Sequence, residues 1–569
     1  VGSFTRVCTM LTIACGCLLL TLTTAVPVRP HDGSDFELVV GLKLHNLDKL
    51  EEDFWQVATP GSGDYLQFRT VSELSSLVGS SRSDIDAAKT WLVGEGADPS
   101  SLRVSALGDT ITAKFRNTPQ HWGAQLPKRD QHPLALDFVL RRDPLLATTI
   151  SSEKGAAVPI NGPSVSRQKK AYGIPTDLMA TNDSSLQMVW GPGTFGYSHS
   201  ELLEFKLTQC PKLNSSRVVY DTKNHGKAGG DNFGEGTLDT LMISAYGLNI
   251  KTLVSNTNTS SSTEEGNGFG QAMLDFITEL ASRDTVPQVL SLSLGSLSGA
   301  SCDLLCNEAA KKGVAHDDCT DFLQQQRQVC MYLSEDQVAR INNALKLLGL
   351  RGVSVFGSSG DGGSHFSFGP FSGGHIADVL NDISCEFQMP VFPTSSPYII
   401  SVGGTEWQGD DSSRPVAWEG SGGGFAWEFA APKHQADVVA KYLSETSGVP
   451  PQSSFNVTGR AYPDVAAISA DGTSQSSPTT AGIWSLLIDQ RLNKGLPPLG
   501  FLAPRLWQTA VAHPGEITED ITQGNSQTSC DNGFPATTGW DPVTGWGRPN
   551  WTGMMKHFGT DDNLSSLIQ

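Results

Sequence analysis

Ser334-Glu335-Asp336-Gln337-Val338-Ala339-Arg340-Ile341-Asn342-Asn343-Ala344-Leu345-Lys346-Leu347-Leu348-Gly349-Leu350 reads as a long helix. It leads through Arg351 into the apolar run Gly352-Val353-Ser354-Val355-Phe356-Gly357 and stops at Ser358-Ser359-Gly360-Asp361. Val289-Leu290-Ser291-Leu292-Ser293-Leu294 upstream and Tyr398-Ile399-Ile400-Ser401-Val402-Gly403-Gly404 downstream have the same short, apolar form. Runs of this kind alternating with helices predict an α/β fold, a parallel sheet covered by helices, with ligands bound at the carboxyl ends of its strands. The residues that do chemistry are therefore expected just after those strands.

Bulk properties narrow the function. At 569 residues the chain is long enough for two to four domains of about ordinary size. A formal charge of −19 argues against nucleic acid or an anionic membrane as the main partner, since both need a basic face. Arg6 precedes an apolar run from Val7 to Val26 whose centre, Met10 to Leu22, has the length of a secretory signal, with cleavage expected near Ala25. A signal anchor is the alternative for that run. Of the ten cysteines, Cys8, Cys15 and Cys17 fall in it, so seven remain and one thiol is left over after pairing. Cys302, Cys306, Cys319 and Cys330 are placed to pair locally and Cys385 with Cys530 at long range, with Cys210 also present; zinc is the competing reading for the four clustered cysteines. Acceptor tripeptides at Asn182, Asn214, Asn258, Asn456, Asn550 and Asn563 fit a glycosylated product of the secretory route.

Residues 26–143 form a first unit after the signal peptide of residues 1–25. An alternating strand begins at Asp35, helices are expected over 46–57, 70–78 and 84–95, and two more strands at 102–107 and 110–115. That mixture predicts a small α+β domain of the split βαβ kind. Residues 144–165 turn to Ser, Gly, Pro, Ala and Lys and read as an exposed, cleavable linker, so the first unit is removable from the remaining 166–569.

Three sites carry candidate chemistry. In Gly472-Thr473-Ser474-Gln475-Ser476-Ser477-Pro478, Ser474 opens an apolar helix, where N–H groups and the helix dipole favour negative charge. A plain N-cap serine is the alternative. Glu235 and Asp239 lie four apart, on one helical face about one turn from each other, so their charges repel and a shared proton is expected; an exposed acidic pair is the plainer reading. Asp361 sits among glycines at a strand end, where a sharp turn admits a close approach, or where an Asx-capped turn would serve equally. A histidine base for Ser474 would have to be His225, whose acidic neighbour, Asp221, stands in a poor context.

The helix Glu235-x-x-x-Asp239, the loop Ser358-Ser359-Gly360-Asp361 and the turn Gly472-Thr473-Ser474-x-x-x-Pro478, in that order, resemble the sedolisin family of serine-carboxyl peptidases. Phe392 to Tyr398, Ser401 to Thr405, Ser421 to Phe425, Arg460 to Ala467 and Thr538 to Gly547 add to the resemblance, which runs from about residue 34 to 558. It implies a subtilisin-like parallel sheet preceded by an inhibitory prosegment, with Ser474 as nucleophile, Glu235 as general base, Asp239 orienting it and Asp361 in the oxyanion hole. It also implies one Ca2+ held by the carboxylates of Asp520 and Asp541 and the carbonyls of Ile521, Thr537 and Gly539, all hard oxygen ligands. The implied activity is release of tripeptides from free N-termini of unfolded polypeptides in an acidic compartment such as the lysosome, or after secretion. A base of low pKa and a protonated oxyanion-hole aspartate would confine that activity to acid. Two positions depart from the family pattern. Asp471 stands where Ser usually precedes Gly-Thr-Ser, and Asp464 lies only ten residues before Ser474, without the hairpin that relatives carry there. A sedolisin-type endopeptidase and a non-catalytic homologue are the alternatives that this gap opens.

Overall fold

In the computed structural model, which describes residues 35–119, 136–142, 162–193, 195–222, 234–257, 268–326, 329–365, 371–409, 411–528 and 530–560, Phe36–Leu42 is an inner strand of a four-stranded antiparallel sheet. Thr110–Phe115 and Leu136–Arg142 flank it, and Arg103–Val104 pairs beyond Thr110–Phe115. Period-two alternation decides what each face does. Leu38 and Val40 pack with Ala88 and Leu92 of the helix Arg82–Gly94, whereas Val39, Phe138 and Leu140 join the core of the larger unit. The helices Leu47–Ala58, Val71–Val78 and Arg82–Gly94 fall close to expectation, the second held by a Thr70–Glu73 capping box. The strand Leu136–Arg142 was not foreseen; its charged end, Arg141-Arg142, masks it in a hydropathy reading.

The larger unit is built on a sheet in the order Asp411–Ala417, Ile400–Gln408, Ser354–Ser358, Val289–Leu292, Leu186–Pro192, Lys251–Thr257, Val218–Tyr220. All these pairs are parallel except the first, and Val465–Ile468 also pairs parallel with Ile400–Gln408. The helix Glu335–Leu350 connects two of these strands as expected.

Two helices deliver the candidate residues, Gly234–Tyr246 and Thr473–Leu492, and both are buried over most of their lengths. They meet backbone to backbone: a Cβ on Gly482 would lie 2.7 Å from the Ile243 carbonyl oxygen and 2.8 Å from Gly247 N. On another side the nucleophile helix touches the sheet, where Ser477 and Ser291 hydroxyls are 3.0 Å apart. Cys302–Cys330 and Cys306–Cys319 staple a local insertion and Cys385–Cys530 joins the end of the helix His375–Glu386 to a distant loop, with Cys210 buried as a thiol. These pairings match the local and long-range sets expected. No helix among the described residues is long and apolar enough to cross a membrane. The signal region, linker residues 144–161 and His225 lie outside the described residues.

Candidate active site

Gly472 ends the tight turn Ser469-Ala470-Asp471-Gly472, in which Ser469 N donates to Thr405 O and Gly472 N donates to Ser469 O. Its φ of 80° is in the region that glycine adopts without penalty, and a Cβ there would come within 2.5 Å of Asp361 Oδ2. Glycine is thus required twice, by the turn and by the approach of the aspartate. Thr473 then opens the helix, and its N–H and hydroxyl both donate to Asp361 Oδ1, at 2.8 and 2.7 Å. Gly360 N donates to the same hydroxyl at 3.1 Å. The strand-end loop and the nucleophile turn are stitched together, and half-buried Ser474 follows in the first turn, where N–H groups have no intrahelical partner. Pro478, four residues on, has no N–H to give the Ser474 carbonyl.

Glu235 lies in the first turn of its helix, and a side-chain hydrogen bond joins it to Ser474. Its Oε1 is buried without a partner. One turn on, Asp239 is fully buried; Oδ1 accepts from the Ser293 hydroxyl at 2.8 Å, and Oδ2 has no partner. Burial and the Glu235 charge push Asp239 well above the usual carboxylate range. Burial also lifts Glu235 to about 7 against the Ser474 hydrogen bond, with the Asp361 charge adding to the rise. This corrects the expectation of a low-pKa base: desolvation outweighs the hydrogen bond. Asp361 has an exposed edge, but the protein around its carboxyl removes enough water to raise its pKa too, against the two Thr473 bonds.

The structure therefore brings Ser474, Glu235, Asp239 and Asp361 into one constellation. Two contributors were missed, Ser293 and Thr473. Ser293 directly follows the strand Val289–Leu292, where a search of strand ends could have found it.

The five residues expected around calcium are gathered near the C-terminus. Gly539 N donates to Asp520 Oδ2 at 2.8 Å and Thr537 N to Asp541 Oδ2 at 3.0 Å, while Val543 N and Thr544 N reach Asp541 Oδ1. Asp520 Oδ1 is buried without a partner, and burial raises Asp541 to about 7. A buried carboxylate oxygen without a partner, on Asp520, fits a cation. Among the described residues a different trio, His513, Glu516 and His557, has nitrogen and oxygen atoms close enough to hold a metal ion.

Comparison with known proteins bears on the whole chain. Residues 28–117 match the family model "Pro-kumamolisin, activation domain". The chain is 28% identical to human tripeptidyl-peptidase 1 over 93% of its own length and 92% of the relative's. It is 29% identical to the Bos taurus protein of that name, with the same coverage. A solved structure, Pseudomonas sedolisin, a serine-carboxyl proteinase complexed with two molecules of pseudo-iodotyrostatin, has a TM-score of 0.47 at 20% identity, over 71% of this chain and 100% of that one.

Proposed function

We propose that the chain is a serine-carboxyl peptidase of the sedolisin family, a reading supported by its activation-domain match and its likeness to tripeptidyl-peptidase 1 over nearly its whole length, and that it releases tripeptides from free N-termini of unfolded polypeptides, using Ser474 as nucleophile. The observation that carries the mechanism is the hydrogen bond from Ser474 to Glu235 beside two orphaned carboxylate oxygens, Glu235 Oε1 and Asp239 Oδ2. One proton held on Asp239 would satisfy that pair and leave Glu235 free to take the Ser474 proton as its oxygen attacks the scissile carbonyl. Glu235 then returns the proton to the leaving amine. Asp361, protonated, would donate from Oδ2 to the developing oxyanion, since Oδ1 already accepts from Thr473. The Ser474 N–H, at the positive end of the helix, is its partner in that role.

The tripeptide unit is supported by likeness to relatives named tripeptidyl-peptidase over nearly the whole chain. The four-residue link Ser469–Gly472 between the strand Val465–Ile468 and the nucleophile helix favours a second reading, endopeptidase activity, because an approach to Ser474 this short would leave the cleft open. A free and an N-acetylated peptide of equal length separate the two. Tripeptides from the free peptide alone support the exopeptidase, equal cleavage of both supports the endopeptidase, and cleavage of neither by the processed protein removes the enzymatic reading.

The domain boundaries belong to the same proposal: signal 1–25, prosegment 26–143, linker 144–165 and peptidase 166–569. Gly162, near the linker's end, lies against the nucleophile turn, where its Cβ would be 2.5 Å from that of Ala470. That proximity supports self-cleavage of the linker in acid. We further propose a calcium ion at Asp520, Asp541, Ile521, Thr537 and Gly539, whose charge would neutralise two carboxylates, and residence in the lysosome or another acidic vacuole.

A further inference from the structure

The C-terminal helix Trp551–His557 is fastened tightly to the segment before it. Asn550 N donates to Ile517 O at 3.0 Å, Glu519 pairs with Arg548, and Gly553 is so close to the Glu516 carbonyl that a Cβ would fall at 1.7 Å. His557 ends this helix, His513 caps the helix Ala503–Ala512, and Glu516 stands in the turn between them. The two imidazole rings face each other with centroids 4.4 Å apart. Glu516 reaches both, Oε2 at 2.7 Å from His557 Nε2 and Oε1 at 3.7 Å from His513 Nδ1. His513 Nε2 is buried without a partner. One donor atom from each of the three residues lies within 4.8 Å of the other two.

We propose that His513, Glu516 and His557 form a binding site for a divalent transition-metal ion of the zinc class. Two imidazoles, which are borderline ligands, joined by one carboxylate favour zinc over calcium, in contrast to the all-oxygen set at Asp520 and Asp541. Three protein ligands leave the fourth tetrahedral position to water. All three ligands come from backbone that packing already fixes, so little ordering is needed on binding. The bound ion would brace the last helix against the helix Ala503–Ala512, which packs on the core through Leu506 and Trp507. Lys556 Nζ, 2.6 Å from Glu516 Oε2, is the cation that the metal would displace.

Cobalt is the probe, because a Co2+ ion with nitrogen ligands absorbs visible light and zinc displaces it silently. Full-length protein in excess calcium is titrated with Co2+ near neutral pH. One equivalent should bind with a visible band, zinc should abolish the band, and zinc should raise the melting temperature. His513→Ala and His557→Ala should each weaken binding more than about tenfold, while Asp541→Asn leaves it unchanged. Lys556 is exposed, so Lys556→Gln should fold normally and bind more tightly. Absence of the band, an unchanged band in both histidine variants, or weaker binding in Lys556→Gln would overturn the site.

Discussion

Glu235 must be ionised to accept a proton from Ser474, yet burial holds its pKa at about 7. Asp361 must be protonated to donate to an oxyanion, and its raised pKa extends that state upward from the usual carboxylate range. Productive molecules carry an ionised Glu235 and a neutral Asp361, so the population is greatest between the two pKa values. The profile of kcat/KM against pH is expected to be a bell, rising as Glu235 ionises and falling as Asp361 does. Asp361→Asn keeps a donor that cannot ionise. Its residual activity should rise with pH to a plateau without the alkaline fall; persistence of that fall would remove Asp361 from the oxyanion role. These residues were legible because they form short motifs of unusual composition. The desolvation that lifts Glu235 was not, because it comes from groups that fold in from other parts of the chain.

At the scale of elements, the site depends on two helices meeting closely at Gly482, against the Ile243 carbonyl, Gly247 N and the Tyr246 Cβ. Gly482→Val would drive a branched side chain into the Ile243 carbonyl and Gly247 N, and is expected to destabilise the protein by at least about 2 kcal/mol. The displaced helices would also misalign Ser474 and Glu235, so denaturant midpoint and kcat should fall together; a stable variant with normal kcat would deny the coupling. The C-terminal loop makes a separate prediction. Chelation and Asp541→Asn should each lower the melting temperature, with chelation adding little to the variant, and an unchanged wild-type melting temperature after chelation would reject a metal there. Strands whose apolar residues run together, such as Val289–Leu292 and Ser354–Ser358, could be read directly. Lys251–Thr257 could not, because all but one of its buried positions are polar: Thr252 accepts from Gln187 Nε2, Ser255 donates to Asp221, and Asn256 donates to Phe195 O. Hydropathy cannot reveal a strand whose polar side chains are satisfied by residues distant in sequence.

Across the whole molecule, charge holds the first unit on the peptidase unit. Arg142 joins Asp275 and Glu37, Arg340 joins Asp109 and Asp137, and Lys346 joins Glu51. Phe54 adds an apolar anchor between Tyr398 and Phe501. Burial opposes ionisation of Glu51, but Lys346, Trp55 and Tyr398 outweigh it and hold its pKa below the ordinary value. A lowered carboxyl pKa strengthens docking above the ordinary value, and that contribution is lost as pH falls through the lowered one. Glu51→Gln should therefore process its linker at a higher pH than the wild type; an unchanged processing profile would show that this pair does not hold the zymogen closed. The serine-carboxylate mechanism itself is tested most directly by the turnover of processed Glu235→Gln on a free-N-terminus peptide at the wild-type pH optimum. Loss of the base predicts that kcat falls by about 10²–10⁴ with KM little changed, whereas wild-type turnover in that variant would contradict the mechanism.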